Sequence, residues 1–434
     1  MVHFDEERPT DDLAEAESRP GGVPLYVWVI AAALLAIPIG LLWGEGAGQL
    51  ELLPRLIIRA LGALAAPLVV LAILSAIVSN DIRGRQGLLM MLYYLINTLV
   101  AMGFALILSN LIRPGLGAQL IDLANPPAPP PRKTVTELLI ELVPRSVGDA
   151  FTQNNLAQLV LLTLALAIGL VKIRNEQQAR GEKTYKVAVD LLNLGFELLM
   201  RVLLWVVALV PFAVLGVIAS SVGQKEGIAV FKSLIWLIVV VLLGLSCQVT
   251  WYLIVMALFS RMSPLRFLRG AGDVAASTFS TASTAATMPI TLKALARLGV
   301  SRESSQLAAC VGTNFNNDGT ALYQATAVLF MAQALGYPLD PVAQVIIVVT
   351  TLVASVGAGG IPSGSFVTLP LIFAAVGLPP DKIPVLLTVD WFLDRCRTTS
   401  NVLGDMTVAV LLERTHGPRS HSVDELEPVL PERV

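Results

Sequence analysis

Six long apolar runs, at about residues 24–43, 54–80, 87–112, 155–173, 190–222 and 228–259, decide what this chain can fold into. Each is long enough to cross the roughly 30 Å hydrocarbon core of a bilayer. Lipid offers no hydrogen-bond partner, so the backbone in such runs must satisfy itself, as an α-helix or a closed barrel. The runs are continuous rather than alternating, which selects helices. Composition agrees: 55% of the 434 residues are hydrophobic and 14% charged, against about 25% charged in a soluble domain. A net charge of −2 gives no basis for nucleic-acid binding. Cys247, Cys310 and Cys396 lie in apolar stretches without metal-ligand spacing and read as small buried residues.

Residues 1–22 form a polar, acidic tail expected to be disordered. It does not resemble a cleaved leader, so the first apolar run is expected to remain as an anchor. A proline-rich linker, Asn125–Pro131, cannot be membrane helix. Basic residues cluster after the second, fourth and sixth runs: Arg83 and Arg85, Lys172 to Lys186, and Arg261, Arg266 and Arg269. Even numbers of crossings put all three loops on one side, so the positive-inside rule places the N-terminus in the cytoplasm.

Beyond residue 260 the pattern changes. Residues 270–292 are apolar but rich in Ser and Thr, and carry Pro289. A clean helix is expected over about 305–335, containing Asn314, Asn316, Asn317 and Asp318. An apolar stretch at about 341–377 is broken by Gly357-Ala358-Gly359-Gly360-Ile361-Pro362-Ser363-Gly364. The last apolar segment, Val389 to Glu413, carries Asp390, Asp394, Arg397, Thr398, Asn401 and Asp405 within roughly a 100° arc of an ideal helix. A charge at the bilayer centre costs about 2.5–3.5 kcal/mol on insertion scales, so such a face is expected to line a ligand site. The alternation of broken segment and polar helix reads as an internal repeat with a site near the membrane midplane. Close helix packing at small residues is the other account of the broken segments.

Four motifs in this region, STASTAATMP, NNDGTALYQA, SVGAGGIPSGS and VDWFLDRCRTTSNVLGD, together resemble the dicarboxylate/amino acid:cation symporter family. MLYYLINT in the third run is a weaker match. The resemblance implies an all-α polytopic membrane protein with eight transmembrane helices, two re-entrant helical hairpins and inverted repeats. It implies a fixed trimerisation region within residues 23–260, joined by a transport core at 261–413 and a cytoplasmic tail at 414–434. A bacterial inner membrane is expected from the short loops.

An acidic amino acid presents one ammonium and two carboxylates. Asp394 suits the first and Arg397, three residues on, a carboxylate; the same spacing also lets them pair with each other. The family places the substrate amine at Asp394 and its side-chain carboxylate at Arg397, with Thr398, Asn401 and Thr320 alongside and Thr284, Gly360, Ile361 and Ser365 at the hairpin tips. Asp390, two turns before Arg397, is expected to orient its guanidinium. Sodium needs hard oxygen ligands. Asp405 and Asn401 can supply two, with carbonyls near Gly312 and Asn316. Asp318 and Asn316 form a second cluster that the family extends with Tyr94, Asn97 and Thr98. A third family site uses Ser355, Val356, Ala358 and the region of Asn314. Ordinary interhelical hydrogen bonding is the alternative for the asparagines.

Having both Asp394 and Arg397 favours aspartate or glutamate as substrate, driven by sodium, over a C4-dicarboxylate. The family's usual NMDGT reads NNDGT here, and Asn314 replaces the usual Thr; both changes are expected to alter sodium affinity or stoichiometry. Gln324 stands where animal members carry a Glu, so proton coupling there is not expected. Two other classes fit less well. An intramembrane aspartyl protease would need GxGD, whereas Asp405 follows Val402-Leu403-Gly404. An anion channel would conduct without coupled uptake.

Overall fold

A computed structural model describes residues 25–79, 84–116, 118, 140, 143–152, 156–223, 227–260, 262–337, 339–357 and 364–415. The N-terminal tail, the proline-rich linker, residues 358–363 and the chain after 415 lie outside the described residues. Among those described, the chain is helical throughout, without strands. Its helices are α1 (Leu25–Trp43), α2 (Leu52–Ser79), α3 (Gly84–Ile112), a short α4 (Val147–Thr152), α5 (Leu156–Ala179), α6 (Tyr185–Val207), α7 (Val210–Gly223) and α8 (Gly227–Ser260). There follow α9 (Pro264–Thr281), α10 (Thr284–Leu298), α11 (Arg302–Phe315), α12 (Asp318–Ala334), α13 (Pro341–Gly357), α14 (Gly364–Ala375) and α15 (Pro384–Thr415). Large apolar side chains face outward on many of them, Leu41, Leu42, Leu88, Leu111 and Trp205 among the most exposed. Helices long and apolar enough to cross a bilayer, with an apolar exterior, make this a membrane protein.

Two expectations need correction. The run at 190–222 is not one helix: it breaks at Ala208–Leu209 between α6 and α7. Pro211 has no N–H to offer the carbonyl of Val207, and the chain tightens there, with Leu209 N–H donating to Val206 O at 3.0 Å. The clean helix over 305–335 is interrupted at Asn316–Asn317, whose φ,ψ are −96°, 97° and −128°, 42°. Both asparagines turn their side chains to Asn401 of α15, across the interface. The break in 270–292 does not involve Pro289, which lies inside α10. That break falls at Ala282–Ser283, where Ala282 adopts φ 53° and Ser283 caps α10, its Oγ accepting from Ala286 N at 3.2 Å.

α12 is the central element. Every residue from Asp318 to Ala332 is buried, which is why the segment shows no polar face. It packs on α3, α15, α8, α13 and α14. α3 closes onto it through a turn at Arg113, φ 52°, where Gln333 bridges by accepting from Gly115 N at 3.1 Å and donating to Ser109 O at 2.9 Å. α15 runs unbroken beside α12 and also contacts α8, α9, α10 and α11. The pairs α9–α10 and α13–α14 each pack on themselves.

The α9–α10 junction depends on the Ser283 cap and on a residue tolerating positive φ. Replacing Ser283 with Ala is expected to destabilise the purified protein by about 1 kcal/mol. Ala282→Gly is expected to be neutral or stabilising, because glycine accepts that backbone without steric penalty. Thermal unfolding in detergent reads both changes.

Candidate functional site

α15 carries its charges because neighbouring helices meet them. Arg397 is only 1% exposed, and its guanidinium bonds Asp390 Oδ1 at 2.5 Å and Asp394 Oδ1 at 2.7 Å. The Tyr323 ring of α12 lies 4.5 Å from its Cζ, in cation–π range. Asp390 therefore orients the arginine, as expected. Asp394 pairs with it as well, and of the three it is the one with an outer face, its side chain 19% exposed. Two carboxylates around one guanidinium leave the group with a formal charge of −1, at a place accessible through Asp394. Thr398 Oγ1 donates to the Asp394 carbonyl at 2.7 Å, fixing that turn. Arg395 points elsewhere, its Cζ 4.6 Å from the Tyr26 ring of α1.

One and two turns on, α15 meets the break between α11 and α12. Asn401 Oδ1 accepts from Gly319 N at 2.8 Å, and its Nδ2 donates to Thr320 Oγ1 at 3.2 Å and Asn317 Oδ1 at 3.3 Å. Asn316 Nδ2 donates to Asn401 O and to Asp405 Oδ1, both at 2.8 Å. Close approach is needed here: a Cβ on Gly312 would collide with the Asp405 carboxylate and the Tyr94 hydroxyl, and one on Gly319 with the Arg397 carbonyl. Tyr94 OH also donates to Ala308 O at 2.8 Å.

Asp318, the first residue of α12, forms the second cluster. Its Oδ1 accepts from Thr98 Oγ1 at 2.6 Å and its Oδ2 from Tyr252 OH at 2.8 Å, with Gln248 Nε2 at 3.4 Å. Gln248 Nε2 also donates to Asn97 O at 3.1 Å, and Trp251 Nε1 to Asn97 Oδ1 at 3.0 Å. Asp318 and Asp405 are fully buried, and among the described residues neither has a basic partner. A buried carboxylate surrounded only by neutral groups is costly unless a cation joins it. Both clusters are rich in hard oxygen atoms of the kind a sodium ion takes.

The structure thus brings together Asp394, Arg397, Thr398, Asn401 and Thr320 on one side, and Tyr94, Asn97, Thr98, Gly312, Asn316, Asp318 and Asp405 on the other. Among the described residues, no hydrogen bond joins Thr284, Ser355 or Ser365 to them. Thr284 begins α10, its carbonyl accepting from Thr287, and Ser355 Oγ donates to Leu352 O. Ser365 is buried near the start of α14. Gly360, Ile361 and Ala358 lie outside the described residues, as do the side chains of Asn314 and Val356. Sequence reasoning missed Gln248, Trp251, Tyr252 and Tyr323. The first three occupy CQVTWYL, a polar interruption with Gln248 and Tyr252 one turn apart in an otherwise apolar helix, and that was the available signal.

The sequence model of the sodium:dicarboxylate symporter family matches residues 25–415. Curated relatives divide by substrate. Excitatory amino acid transporter 4 of Mus musculus is 28% identical over 87% of this chain and 79% of its own length. The C4-dicarboxylate transport protein of Anaeromyxobacter dehalogenans is 29% identical over 93% of this chain and 94% of its own. Neutral amino acid transporter B(0) of Homo sapiens is 29% identical over 90% and 80%.

Removing one partner of a buried pair leaves a charge stranded, at about 3–5 kcal/mol. Arg397→Met is therefore expected to lower stability markedly, because it strands the buried Asp390 carboxylate, whereas Asp390→Leu leaves Arg397 paired with Asp394 and should cost less. The double change Asp390→Leu with Arg397→Met should recover part of the Arg397→Met loss. Denaturation of the two singles and the double in detergent checks the cycle.

Proposed function

The chain belongs to the sodium:dicarboxylate symporter family, and on that premise we propose that it is a sodium-coupled, secondary-active symporter of acidic amino acids, aspartate or glutamate, working by alternating access. The observation that carries the substrate class is the trio Asp390, Asp394 and Arg397. Asp394 and Arg397 satisfy each other at 2.7 Å. A ligand with an ammonium and a carboxylate replaces that internal pair by two external ones, and leaves neither charge stranded. A C4-dicarboxylate would take Arg397 but set a carboxylate against Asp394. It is the second reading, favoured by the similarity to the C4-dicarboxylate transport protein.

In this reading Asp394, Arg397, Thr398, Asn401 and Thr320 hold the substrate, with Thr284, Gly360, Ile361 and Ser365 closing over it. Sodium ions are co-substrates held at Asp405 with Asn401, Gly312 and Asn316, and at Asp318 with Tyr94, Asn97, Thr98 and Asn316. A third would lie by Ser355, Val356, Ala358 and Asn314. The α9–α10 and α13–α14 pairs are the two re-entrant hairpins, the spans number eight with inverted repeats, and the assembly is a homotrimer. Both termini face the cytoplasm of a bacterial cell. The transport core at 261–413 slides against the scaffold built from the earlier spans.

Uptake into proteoliposomes of radiolabelled aspartate, glutamate and succinate, under sodium, potassium or proton gradients, tests the reading. Sodium-driven aspartate or glutamate uptake is expected. Asp394→Asn should cut it by about tenfold or more, the effect of removing one partner of a charged hydrogen bond. Wild-type protein that carried succinate in preference to either amino acid would reverse the role given to Asp394. Asp318→Asn is expected to weaken sodium dependence with the Asp390–Arg397 pair intact. A sodium titration of uptake reads that change.

A further inference from the structure

The amide orientations at the α11–α12 break are fixed by a chain of donors and acceptors that starts from a group with no freedom. Gly319 N–H can only donate, so the Asn401 atom 2.8 Å away must be its oxygen. The Asn401 NH2 then faces Thr320 Oγ1 and Asn317. The Asn317 atom that meets it must in turn be an oxygen, since two NH2 groups would repel. That leaves Asn317 Nδ2 turned away, on a residue 7% exposed, with no acceptor among the described residues. Asn316 is oriented by the same logic in the opposite sense. Its Nδ2 serves the Asn401 carbonyl and Asp405, so its Oδ1 is the atom left without a donor among the described residues. Adjacent asparagines at one break thus present opposite polarity: an oxygen from Asn316 and an N–H pair from Asn317.

We propose that Asn317 is a substrate-selecting residue, its Nδ2 donating to a carboxylate oxygen of the bound acid. Sodium is left to Asn316, Asp318 and Asp405. An amide NH2 carries no lone pair for a cation, so it cannot act as a sodium ligand; an oxyanion is the ligand class that matches it. Asn317 and Thr320 share the Asn401 NH2, which places this donor beside residues assigned to the substrate. The proposal rests on the symport reading and revises what the motif change at this position implied, because it moves the effect of Asn317 from sodium to substrate.

The test uses the full chain, purified in nanodiscs, with Asn317→Leu, Asn317→Met and Asn317→Asp. Two quantities are measured: calorimetric affinity for aspartate, glutamate and succinate at saturating sodium, and sodium affinity without substrate, followed by tryptophan fluorescence. Leu and Met are expected to weaken binding of the preferred acid by about tenfold or more, the loss of one hydrogen bond to a charged acceptor. Asp should weaken it at least as much, since it sets a carboxylate against the ligand's own. Sodium affinity without substrate should be unchanged in Leu and Met, which also shows that those samples are folded. Unaltered acid affinity in Leu and Met, with or without a change in sodium affinity, would overturn the proposal alone. Wild-type protein that bound none of the three acids in sodium would overturn the symport reading and this proposal together.

Discussion

A guanidinium removed from water must bring its counter-charges with it, and the placement of Arg397 organises this molecule around that requirement. Asp390 sits on the same helix two turns earlier, Asp394 one turn earlier, and Tyr323 presents its ring from α12. The result constrains both helices. α15 has to stay helical through the whole charged stretch so that the i, i+3 and i, i+7 spacings to Arg397 hold. α12 has to be buried all round so that Tyr323 and Asp318 face opposite clusters in a space free of water. Asp318 and Asp405, buried and without a basic partner among the described residues, are the other carboxylates that this arrangement leaves uncompensated.

Membrane helices were legible because lipid makes the backbone rule absolute. The runs at 24–43, 54–80, 87–112 and 228–259 became α1, α2, α3 and α8 with ends shifted by a few residues. Where the helix ladder fails for local reasons, the reading was weaker. Pro211 should have warned of the break at Ala208–Leu209, because a missing N–H acts on the carbonyl four residues earlier. Pro289 shows the converse, a proline without a break. It is tolerated inside α10, while the turn is made by Ala282 at positive φ with Ser283 capping. The interruption at Asn316–Asn317 was not visible as such, because a pair of asparagines in a helical pattern looks like interhelical glue. It becomes a break only when partners across the interface, Asn401 and Asp405, take their side chains.

The site was legible along α15 and less so across helices. Six polar residues within one 100° arc announced a single lined face, and five of them lie buried among partners. Which of them pair with each other was not contained in spacing. Asp394 is as close to Arg397 as spacing allowed, and the pairing that was one of two readings is present. The residues contributed by α8 had no charge to draw attention, yet Tyr252 is a partner of Asp318 at 2.8 Å. Neutral donors around a buried carboxylate are easily missed in a sequence, because each by itself is an ordinary residue in an apolar helix.

Asn401 is where the two clusters become one. Its backbone carbonyl and side chain receive or give hydrogen bonds to Asn316, Asn317, Gly319 and Thr320, all within the break or the first turn of α12. Asn316 continues that path to Asp405, and Asp318 shares the same turn of α12. In the proposed reading, a cation drawn to Asp405 would pull on Asn316, whose amide is also bonded to the α15 backbone at Asn401. A ligand held at Arg397 and Thr320, as proposed, would pull on the same helix from its other end. Because buried hydrogen-bond networks tolerate few intermediate arrangements, occupancy at one end changes the cost of ordering the other. By linkage that dependence must run both ways. Under the proposed symport, coupling of ion to acid would need no long pathway in this chain; it would need the break in α11–α12 to be held by one asparagine.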